Sequence, residues 1–359
     1  MNNMDMSLDR KKVILGLSGG VDSTTAALLL LEKGYQVTGL YFDVEQPENK
    51  EGAAAARRAA EQLGIPFLYR NIHEVFEKTV IHNFCQEYQC GRTPNPCVVC
   101  NPAVKFRTLI EAADREGAFY IATGHYARTT RHARLGWSIR KGESEKKDQS
   151  YMLYRLSSSI IERLLLPLGI LHSKEEARAA AREKNLFNAD QKDSQEICFL
   201  PEGETYADYL LKRGVNPKPG NFIDKDGHIL GQHQGLVRYT IGQRKGLGIT
   251  FGKPVFVIRM DPENNTITLG DNEDLFSREV ICGNSFFPNS ASGQLPDFLE
   301  NAEVTAKIRY AAKPASARLH TLPDGRISAV FDEKQRAATP GQSIVFYYGD
   351  CVAGGGFIE

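Results

Sequence analysis

Between residues 12 and about 125, short apolar runs alternate with longer segments in which apolar residues recur every three to four positions. The short runs VILGL, QVTGLYF, PFLY and FYIATG are typical of buried strands. The segments between them, such as TTAALLLLEKG, AAAARRAAEQLG and VKFRTLIEAADREG, have helical spacing, and Gly34 is suited to end the first helix. This alternation predicts an α/β fold, with a parallel sheet covered by helices on both faces.

The pattern changes after about residue 210. The last strong helical signal is HSKEEARAAAREKNL, where Ser173 and Glu176 form a capping-box signature. Beyond it, turns rich in Gly, Pro and Asp separate short alternating strands such as PVFVIRM, AEVTAKIRY, RISAVF and QSIVFYYGD, which predict a small β-barrel or sandwich. We therefore expect domains over residues 1–208, 209–279 and 280–359.

Composition and charge exclude several classes of protein. Forty-four basic residues balance 44 acidic residues in 359, so a nucleic-acid partner would need a local basic surface. No apolar run reaches the roughly 18 residues of a membrane span, and the N-terminus has no signal-peptide core, which predicts a cytoplasmic protein without membrane partners. The odd count of seven cysteines favours thiol chemistry or metal binding over a disulfide framework.

The stretch LGLSGGVDST, residues 15–24, lies between the first predicted strand and the first predicted helix. A glycine-rich turn at this place directs backbone N–H groups and the positive end of the helix dipole at one point, which is typical of a phosphate site. It is not a Walker A loop, because no Gly-Lys-Ser/Thr follows, and it does not match G-x-G-x-x-G.

A second candidate site is CGRTPNPCVVCN, residues 90–101. Two X-Pro bonds and a glycine predict an irregular loop. Cys97 and Cys100 have C-x-x-C spacing just before a predicted helix, whose N-terminus would favour a thiolate and hence a sulfur nucleophile. Two alternatives remain open: a zinc site completed by Cys85 and Cys90, and a thioredoxin-like redox pair.

Other cysteines have simpler interpretations. Cys198 lies in the apolar run of KDSQEICFLPEG and, taken alone, would be a core cysteine. Cys85 and Cys282 are most simply buried small side chains.

The motif SGGVDS resembles the PP-loop of the N-type ATP pyrophosphatases, which cleave ATP between the α- and β-phosphates. SGGVDS, GRTPNPxxxCNxxVKF, ATGHYAR, KDQSYML, DSQEICF and RYTIGQRKGLG occur here in the order in which they occur in the tRNA-specific 2-thiouridylases. KIRY and PGQSIVFY extend this resemblance over nearly the whole chain. The resemblance implies a PP-loop catalytic domain, a small central α+β domain and a C-terminal β-barrel, the last two binding tRNA.

The reaction implied by the resemblance takes place on the wobble uridine, position 34 of certain tRNAs. ATP adenylates the 2-oxygen of the base with release of pyrophosphate, and a sulfur then displaces AMP to give 2-thiouridine. Cys198 matches the cysteine that receives a persulfide from a cysteine desulfurase or a sulfur-relay protein. Cys100 matches the catalytic cysteine, which either attacks the adenylated base or releases the terminal sulfur by forming a disulfide with Cys198.

The resemblance also implies binding residues. Those for ATP are Gly16, Leu17, Ser18, Gly19, Gly20, Val21, Asp22, Ser23, Phe42 and Gly124, with Mg²⁺ near Asp22. Those for the target base are Asn95, Pro96 and Cys97. Those for tRNA are His125, Lys147, Asp148, Gln149, Arg309, Tyr310 and Gln342.

Local charge is consistent with an RNA partner. Residues 128–147 carry seven Lys or Arg against two Glu, although such a run is also typical of a solvated loop. Arg238, Arg244 and Lys245 form a second basic strip suited to phosphates.

The chain departs from the family pattern at Cys97, where many members have aspartate. A thiol hydrogen-bonds only weakly, so it is in doubt whether Cys97 can take the role of that aspartate in polarising or deprotonating the uridine. The change also makes Cys97, Cys100 and Cys198 candidate ligands of a [4Fe-4S] cluster whose open iron would hold sulfide. We favour the persulfide scheme, since ligation cannot be read from spacing alone. A more remote alternative is a PP-loop synthetase acting on a small molecule, which would need neither the basic segment nor the barrel.

Overall fold

The computed structural model describes residues 8–45, 50–191, 197–201, 203–249, 252–290 and 293–359. Its strands are β1 Asp9–Gly16, β2 Gln36–Asp43, β3 Phe67–Asn71, β4 Ala118–Ala122, β5 Ala127–His132, β6 Gly136–Lys141, β7 Leu164–Leu165, β8 Gly220–Ile223, β9 Ile229–His233, β10 Phe256–Asp261, β11 Thr266–Gly270, β12 Phe276–Phe286, β13 Glu303–Lys307, β14 Ala315–Thr321, β15 Ile327–Arg336, β16 Ser343–Tyr348 and β17 Cys351–Ile358. Its α-helices are α1 Val21–Glu32, α2 Lys50–Leu63, α3 His73–Phe76, α4 His82–Gln89, α5 Pro96–Cys100, α6 Phe106–Arg115, α7 Ser158–Glu162, α8 Lys174–Glu183 and α9 Tyr206–Lys212. Turns of π-helix cover Glu77–Ile81 and Asn101–Lys105, and 3₁₀ turns cover Ser150–Leu153, Pro167–Ile170, Leu236–Arg238, Asn272–Leu275 and Asp297–Leu299.

Contacts divide the chain into two compact units. Of the described residues, those within Met1–Thr79, Cys97–Gln195 and Asp350–Ala353 belong to the first unit. Those within Val80–Pro96, Glu196–Gly349 and Gly354–Glu359 belong to the second. The chain therefore enters each unit more than once, and the boundaries at residues 208 and 279 stay a prediction.

The first unit is built on a five-stranded parallel sheet with strand order β3-β2-β1-β4-β7. In the central strand β1, Val13, Ile14 and Leu15 are each at most 1% exposed, because helices cover both faces. A strand buried on both faces needs a continuous apolar run, which is the pattern that VILGL provides. The predicted α/β fold is confirmed, as is the cap of α8, where the Ser173 side chain accepts from the Glu176 N–H.

The second unit contains two sheets. The first is four-stranded, in the order β10-β11-β8-β9, and Phe222, Val257 and Ile267 form its buried centre. In the second, strands β12-β15-β14-β13-β16-β17 close into a barrel, because β12 pairs with β17 as well as with β15. The predicted C-terminal β-barrel is confirmed.

Helix α4 belongs to the second unit although it precedes the cysteine motif in the chain. Its Phe84 ring lies 5.2 Å from that of Phe199, and its Tyr88 ring stacks on Tyr206 at 4.8 Å. These aromatic contacts bury the inner face of the helix against residues more than a hundred positions later.

The prediction of an irregular loop is wrong for its second half, because a helical segment begins at Pro96 and continues through α5, a π turn and α6. Proline is favoured at a first helical position, where its missing N–H leaves no hydrogen bond unmade. Pro102, inside the segment, cannot make an ordinary α-helical bond. The wider π turn accommodates it, and the Phe106 N–H donates to the Asn101 carbonyl, five residues back.

Among the described residues, the structure has no helix of the length and apolar character needed to cross a membrane.

Candidate active site

A cavity of about 230 Å³ lies in the first unit, where β1, β2 and β4 end. The carboxyl ends of parallel strands share one edge of a sheet, which is the usual ligand site of this architecture. Its lining consists of Gly16, Leu17, Ser18, Asp22, Ser23, Tyr41, Phe42, Lys105, Thr123, Gly124, His125 and Gln149. It thus brings most of the residues predicted to bind ATP together with two of those predicted to bind tRNA.

The glycine-rich loop between β1 and α1 forms one side of this cavity. No side chain in the described part of the chain caps α1 at Gly20, so its first N–H groups are left for an anion. The Ser18 N–H donates to the Ser23 hydroxyl at 3.2 Å, and the two hydroxyl oxygens lie 3.1 Å apart. The loop therefore has the geometry of a phosphate site.

Two glycines permit close backbone packing around the loop. A Cβ on Gly19 would lie 2.7 Å from backbone atoms of Ala55 and Ala56, and Gly19 has a φ of +80°. A Cβ on Gly124 would lie 2.9 Å from the carbonyl carbon of Asp22. No side chain fits at either position without moving the backbone of the loop or of its neighbour.

Asp22, predicted to lie near Mg²⁺, is engaged by the chain itself. Its Oδ1 accepts from the Tyr126 hydroxyl and its Oδ2 from the Lys174 ammonium, both at 2.8 Å, and the Lys174 side chain is only 13% exposed. Among the described residues that line the cavity, Asp22 is the one carboxylate. Each Asp22 oxygen therefore already accepts a hydrogen bond, so the described lining offers Mg²⁺ at most one carboxylate, and a Mg²⁺ ion here would be held largely by the phosphates of its nucleotide.

Asn188 supports the loop from behind. It is 1% exposed, and its amide donates to the Gly19 carbonyl at 2.6 Å and to the Thr24 hydroxyl at 2.8 Å. Sequence reasoning missed both Asn188 and Lys174, since each lies more than 150 positions from its partner. No local motif marks either residue.

Cys97 and Cys100 lie one helical turn apart at the start of the helical segment, and both are partly buried. Burial raises the pKa of both thiols, and the positive charge of Lys105 opposes that rise. The prediction that the start of the helix favours the thiolate is therefore wrong for the net effect, because desolvation is the larger cause and raises the pKa of both thiols. Of the other two residues predicted at the target base, Pro96 is buried and starts the helix, and Asn95 is partly buried before it.

Cys198 is exposed and belongs to the second unit, and Asp193–Glu196 of its motif lie outside the described residues. Cys282 is buried in the barrel, as predicted, whereas Cys85 is only partly buried. Within the described ranges, the one group of three ligating side chains within 4.8 Å of one another is Asp224, Asp226 and His228. The zinc and iron–sulfur alternatives stay predictions without support from the geometry.

His125 faces the cavity as a neutral side chain. Its Nδ1 lies 2.7 Å from the Thr123 hydroxyl, and its ring stacks on Phe106. Burial, assisted by the charge of Lys105, lowers the pKa of His125 to about 3. At neutral pH it can hydrogen-bond but carries no charge for an RNA phosphate.

This pKa predicts a pH dependence of stability. Below about pH 6.5 the unfolded chain protonates His125, whereas the folded chain leaves it neutral until about pH 3. The free energy of unfolding should therefore fall with decreasing pH in this window, by up to about 1.4 kcal/mol per pH unit from this residue. Urea unfolding at pH 7, 6 and 5 should give a shallower slope for His125→Gln than for the wild type. Equal slopes would contradict the assignment.

Asp148 and Gln149, both predicted to contact tRNA, make hydrogen bonds within the first unit, and Gln149 lines the cavity. Asp148 is 7% exposed and accepts from the Gly142 N–H at 3.1 Å and from the Ser150 hydroxyl at 2.8 Å. The Gln149 side-chain oxygen accepts from the Tyr126 N–H at 2.9 Å. Lys147, beside them, is partly buried.

The basic segment 128–147 contains the β5–β6 hairpin, so much of it is ordered as strands. Arg128 forms an ion pair with Glu143, and Arg140 forms one with Asp350. In the second unit, Arg238 lines a separate cavity of about 370 Å³, and Arg244 and Lys245 are exposed.

The predicted tRNA contacts of the barrel lie in the second unit, as does the loop that precedes Pro96. The Gln342 amide donates to the Thr93 carbonyl at 2.8 Å, and the Thr93 N–H donates to the Pro340 carbonyl at 2.8 Å. Arg309 is exposed and donates to the Arg336 carbonyl, while Lys307 lies over the Tyr310 ring. The barrel thus fixes the backbone of Thr93, two residues before Asn95.

Three family models match the chain in succession. They are described as a tRNA methyl transferase HUP domain over residues 11–202, a tRNA methyl transferase PRC-barrel domain over residues 208–271 and an aminomethyltransferase β-barrel domain over residues 289–358. Relatives that match the chain over nearly its whole length are named for an activity other than methyl transfer. The chain is 44% identical to the tRNA-specific 2-thiouridylase MnmA of Carboxydothermus hydrogenoformans over 98% of each chain. It is 46% identical to the tRNA-specific 2-thiouridylase MnmA of Clostridioides difficile over 97% of this chain and 98% of that one.

Solved structures resemble the chain more distantly. An NH3-dependent NAD synthetase from Campylobacter jejuni matches 50% of this chain and 66% of its own, at 17% identity and a TM-score of 0.32.

Proposed function

The chain belongs to the tRNA-specific 2-thiouridylase family of sulfurtransferases, and from this premise we propose that it converts the wobble uridine of tRNA, at position 34, to 2-thiouridine at the expense of ATP. The observation that carries the proposal is the cavity itself. Its lining contains the uncapped N-terminus of α1, and one of its residues, Lys105, interacts electrostatically with both Cys97 and Cys100. Adenylation requires an anion site, and the sulfur transfer that follows requires a thiol close to it, for which we propose Cys100.

In the first step, the 2-oxygen of the uridine attacks the α-phosphorus of ATP, and the bond to the β-phosphate oxygen breaks. Pyrophosphate leaves with the charge that develops on its oxygens. The N–H groups at the start of α1, with Ser18 and Ser23, would stabilise that charge. Mg²⁺ would enter bound to ATP, as part of the substrate.

In the second step, sulfur from a Cys198 persulfide replaces AMP. The Cys100 thiolate attacks the Cys198 sulfur, the persulfide S–S bond breaks, and the terminal sulfur leaves as hydrosulfide. Hydrosulfide attacks C2 of the adenylated base, and the C2–O bond breaks to release AMP. A Cys100–Cys198 disulfide is left, and a dithiol reductant must supply two electrons before the next turnover. The exposure of Cys198 supports its loading by a cysteine desulfurase or a sulfur-relay protein.

The experiment that tests this function combines the purified chain with ATP, Mg²⁺, a cysteine desulfurase and its substrate cysteine, a dithiol reductant and tRNA carrying uridine at position 34. We expect AMP and 2-thiouridine in equal amounts, measured by chromatography and by mass spectrometry of the digested tRNA. The matched substrate is the same tRNA with cytidine at position 34, which should yield neither product. AMP formed equally well without tRNA would support the small-molecule synthetase instead.

Cys97→Ala should lower the thiolation rate by roughly tenfold or less, because it removes one weak hydrogen-bonding group beside the base. Cys97→Asp should keep at least the wild-type rate, since a carboxylate accepts from the uridine N3–H more strongly than a thiol does. Initial rates of 2-thiouridine formation under anaerobic conditions measure both effects. A visible absorbance band that disappears together with activity in Cys97→Ala would identify an iron–sulfur enzyme and refute the persulfide scheme.

A further inference from the structure

We propose that Lys105 is a positioning residue whose ammonium group stabilises the thiolate of Cys100 during sulfur transfer. Lys105 lies in the motif GRTPNPxxxCNxxVKF, but the residues predicted for ATP, the target base and tRNA do not include it. The inference rests on the proposed function, because it gives Lys105 a part in the second step of that reaction.

The path of the backbone brings Lys105 to Cys100. In a regular α-helix, a side chain five positions on points about 140° away from the first. The segment Asn101–Lys105 is a π turn instead, in which each backbone hydrogen bond joins residues five positions apart. Residues five positions apart therefore lie on the same side of the turn. The Lys105 N–H accordingly lies on the side of the Cys100 sulfur, where it lowers the pKa of that thiol. Pro102, which cannot continue an α-helix, explains why the wide turn occurs here.

The side chain of Lys105 is partly buried and lines the cavity together with Ser18 and Ser23 of the phosphate loop. Its charge acts on three groups, since it lowers the pKa of Cys97, of Cys100 and of His125. His125 is neutral, and the Asp22 carboxylate is already held by Lys174 and Tyr126. Lys105 is therefore placed to act on an anion that appears at the thiols or in the cavity.

Such a charge is needed because burial makes the thiolate of Cys100 scarce at neutral pH. Only the thiolate attacks a persulfide, so the fraction ionised limits the rate of the second step. A cation near the sulfur opposes the cost of desolvation without exposing the site to water.

The test measures the pH at which Cys100 is half-maximally alkylated by iodoacetamide, with each cysteine followed by peptide mass spectrometry. In Lys105→Met this midpoint should rise by about half a pH unit or more, the order expected from losing one unit charge several ångströms away even in water. Lys105→Arg should restore a midpoint close to that of the wild type. The control is Arg107→Met, which removes an exposed charge paired with Glu111 on the same helix and should leave the midpoint unchanged.

An unchanged midpoint in Lys105→Met and in a second neutral variant, Lys105→Gln, would overturn the inference. Alkylation requires neither ATP nor tRNA, so the two hypotheses fail separately. A wild type that forms no 2-thiouridine would refute the proposed function whatever the midpoint does. If the wild type is active but the pH of half-maximal Cys100 alkylation does not change when Lys105 is replaced, only the role of Lys105 would be refuted.

Discussion

Replacing Cys100 by serine will abolish 2-thiouridine formation, by a factor on the order of 10³ or more, while one equivalent of pyrophosphate is still released from each active site. The serine hydroxyl is not ionised near neutral pH and cannot form a disulfide with Cys198, so the second step stops. The phosphate loop retains its contacts among Ser18, Ser23 and Gly20, none of which involves Cys100. The first step should therefore proceed once and leave adenylated tRNA on the enzyme.

Rapid-quench measurement of pyrophosphate with labelled ATP tests this division between the two steps. Cys90→Ser is the matched control, because Cys90 is exposed and lies in the other unit, outside the proposed chemistry. That variant should thiolate tRNA at the wild-type rate. Loss of the pyrophosphate burst in Cys100→Ser would mean that Cys100 takes part in adenylation, and the proposed sequence of steps would be wrong.

Gly19→Ala should lower ATP-dependent pyrophosphate release by on the order of 100-fold, while tRNA binding stays within about twofold of the wild type. The added Cβ would lie 2.7 Å from backbone atoms of Ala55 and Ala56, so the loop must move away from α2. This movement would pull the N–H groups away from the departing pyrophosphate. The basic residues proposed to bind tRNA lie elsewhere in the chain, so binding measured by filter titration should persist.

Gly34→Ala is a close control for this substitution. Gly34 has a φ of +82°, nearly that of Gly19, but a Cβ there would meet no atom within 4 Å. It should therefore show the cost of the left-handed backbone alone, about 1–2 kcal/mol in the free energy of unfolding, with pyrophosphate release preserved. If both variants lose activity equally, backbone strain and not the contact with α2 would be the cause.

The sequence predicted those parts of the molecule that depend on local pattern. The continuous apolar run VILGL predicts a strand buried on both faces, and it forms the central strand of the parallel sheet. The strands after residue 280, in which apolar and polar residues alternate, form the barrel. The helix beginning at Pro96 was missed, because proline and glycine were read only as breakers of helix, although Pro96 starts one and a π turn accommodates Pro102.

The remaining misses depend on tertiary structure. The partners of Asp22 and Gly19 are Lys174 and Asn188, which reach the loop only after the first unit has folded. The pKa of Cys100 was misjudged for a related reason. Proximity to a helix end can be read from spacing, whereas the burial that outweighs it cannot.

The hydrogen bonds between the barrel and Thr93 restrict how this protein can be recombined with its relatives. A chimera joined at residue 208 would pair the segment 80–96 of one parent with the barrel of another. Phe84 of α4, which packs on Tyr209, and Thr93, which bonds to Pro340 and Gln342, would then meet partners with which they did not evolve. An exchange of RNA specificity between homologues should therefore transplant residues 80–96 together with the C-terminal half, as one inherited block.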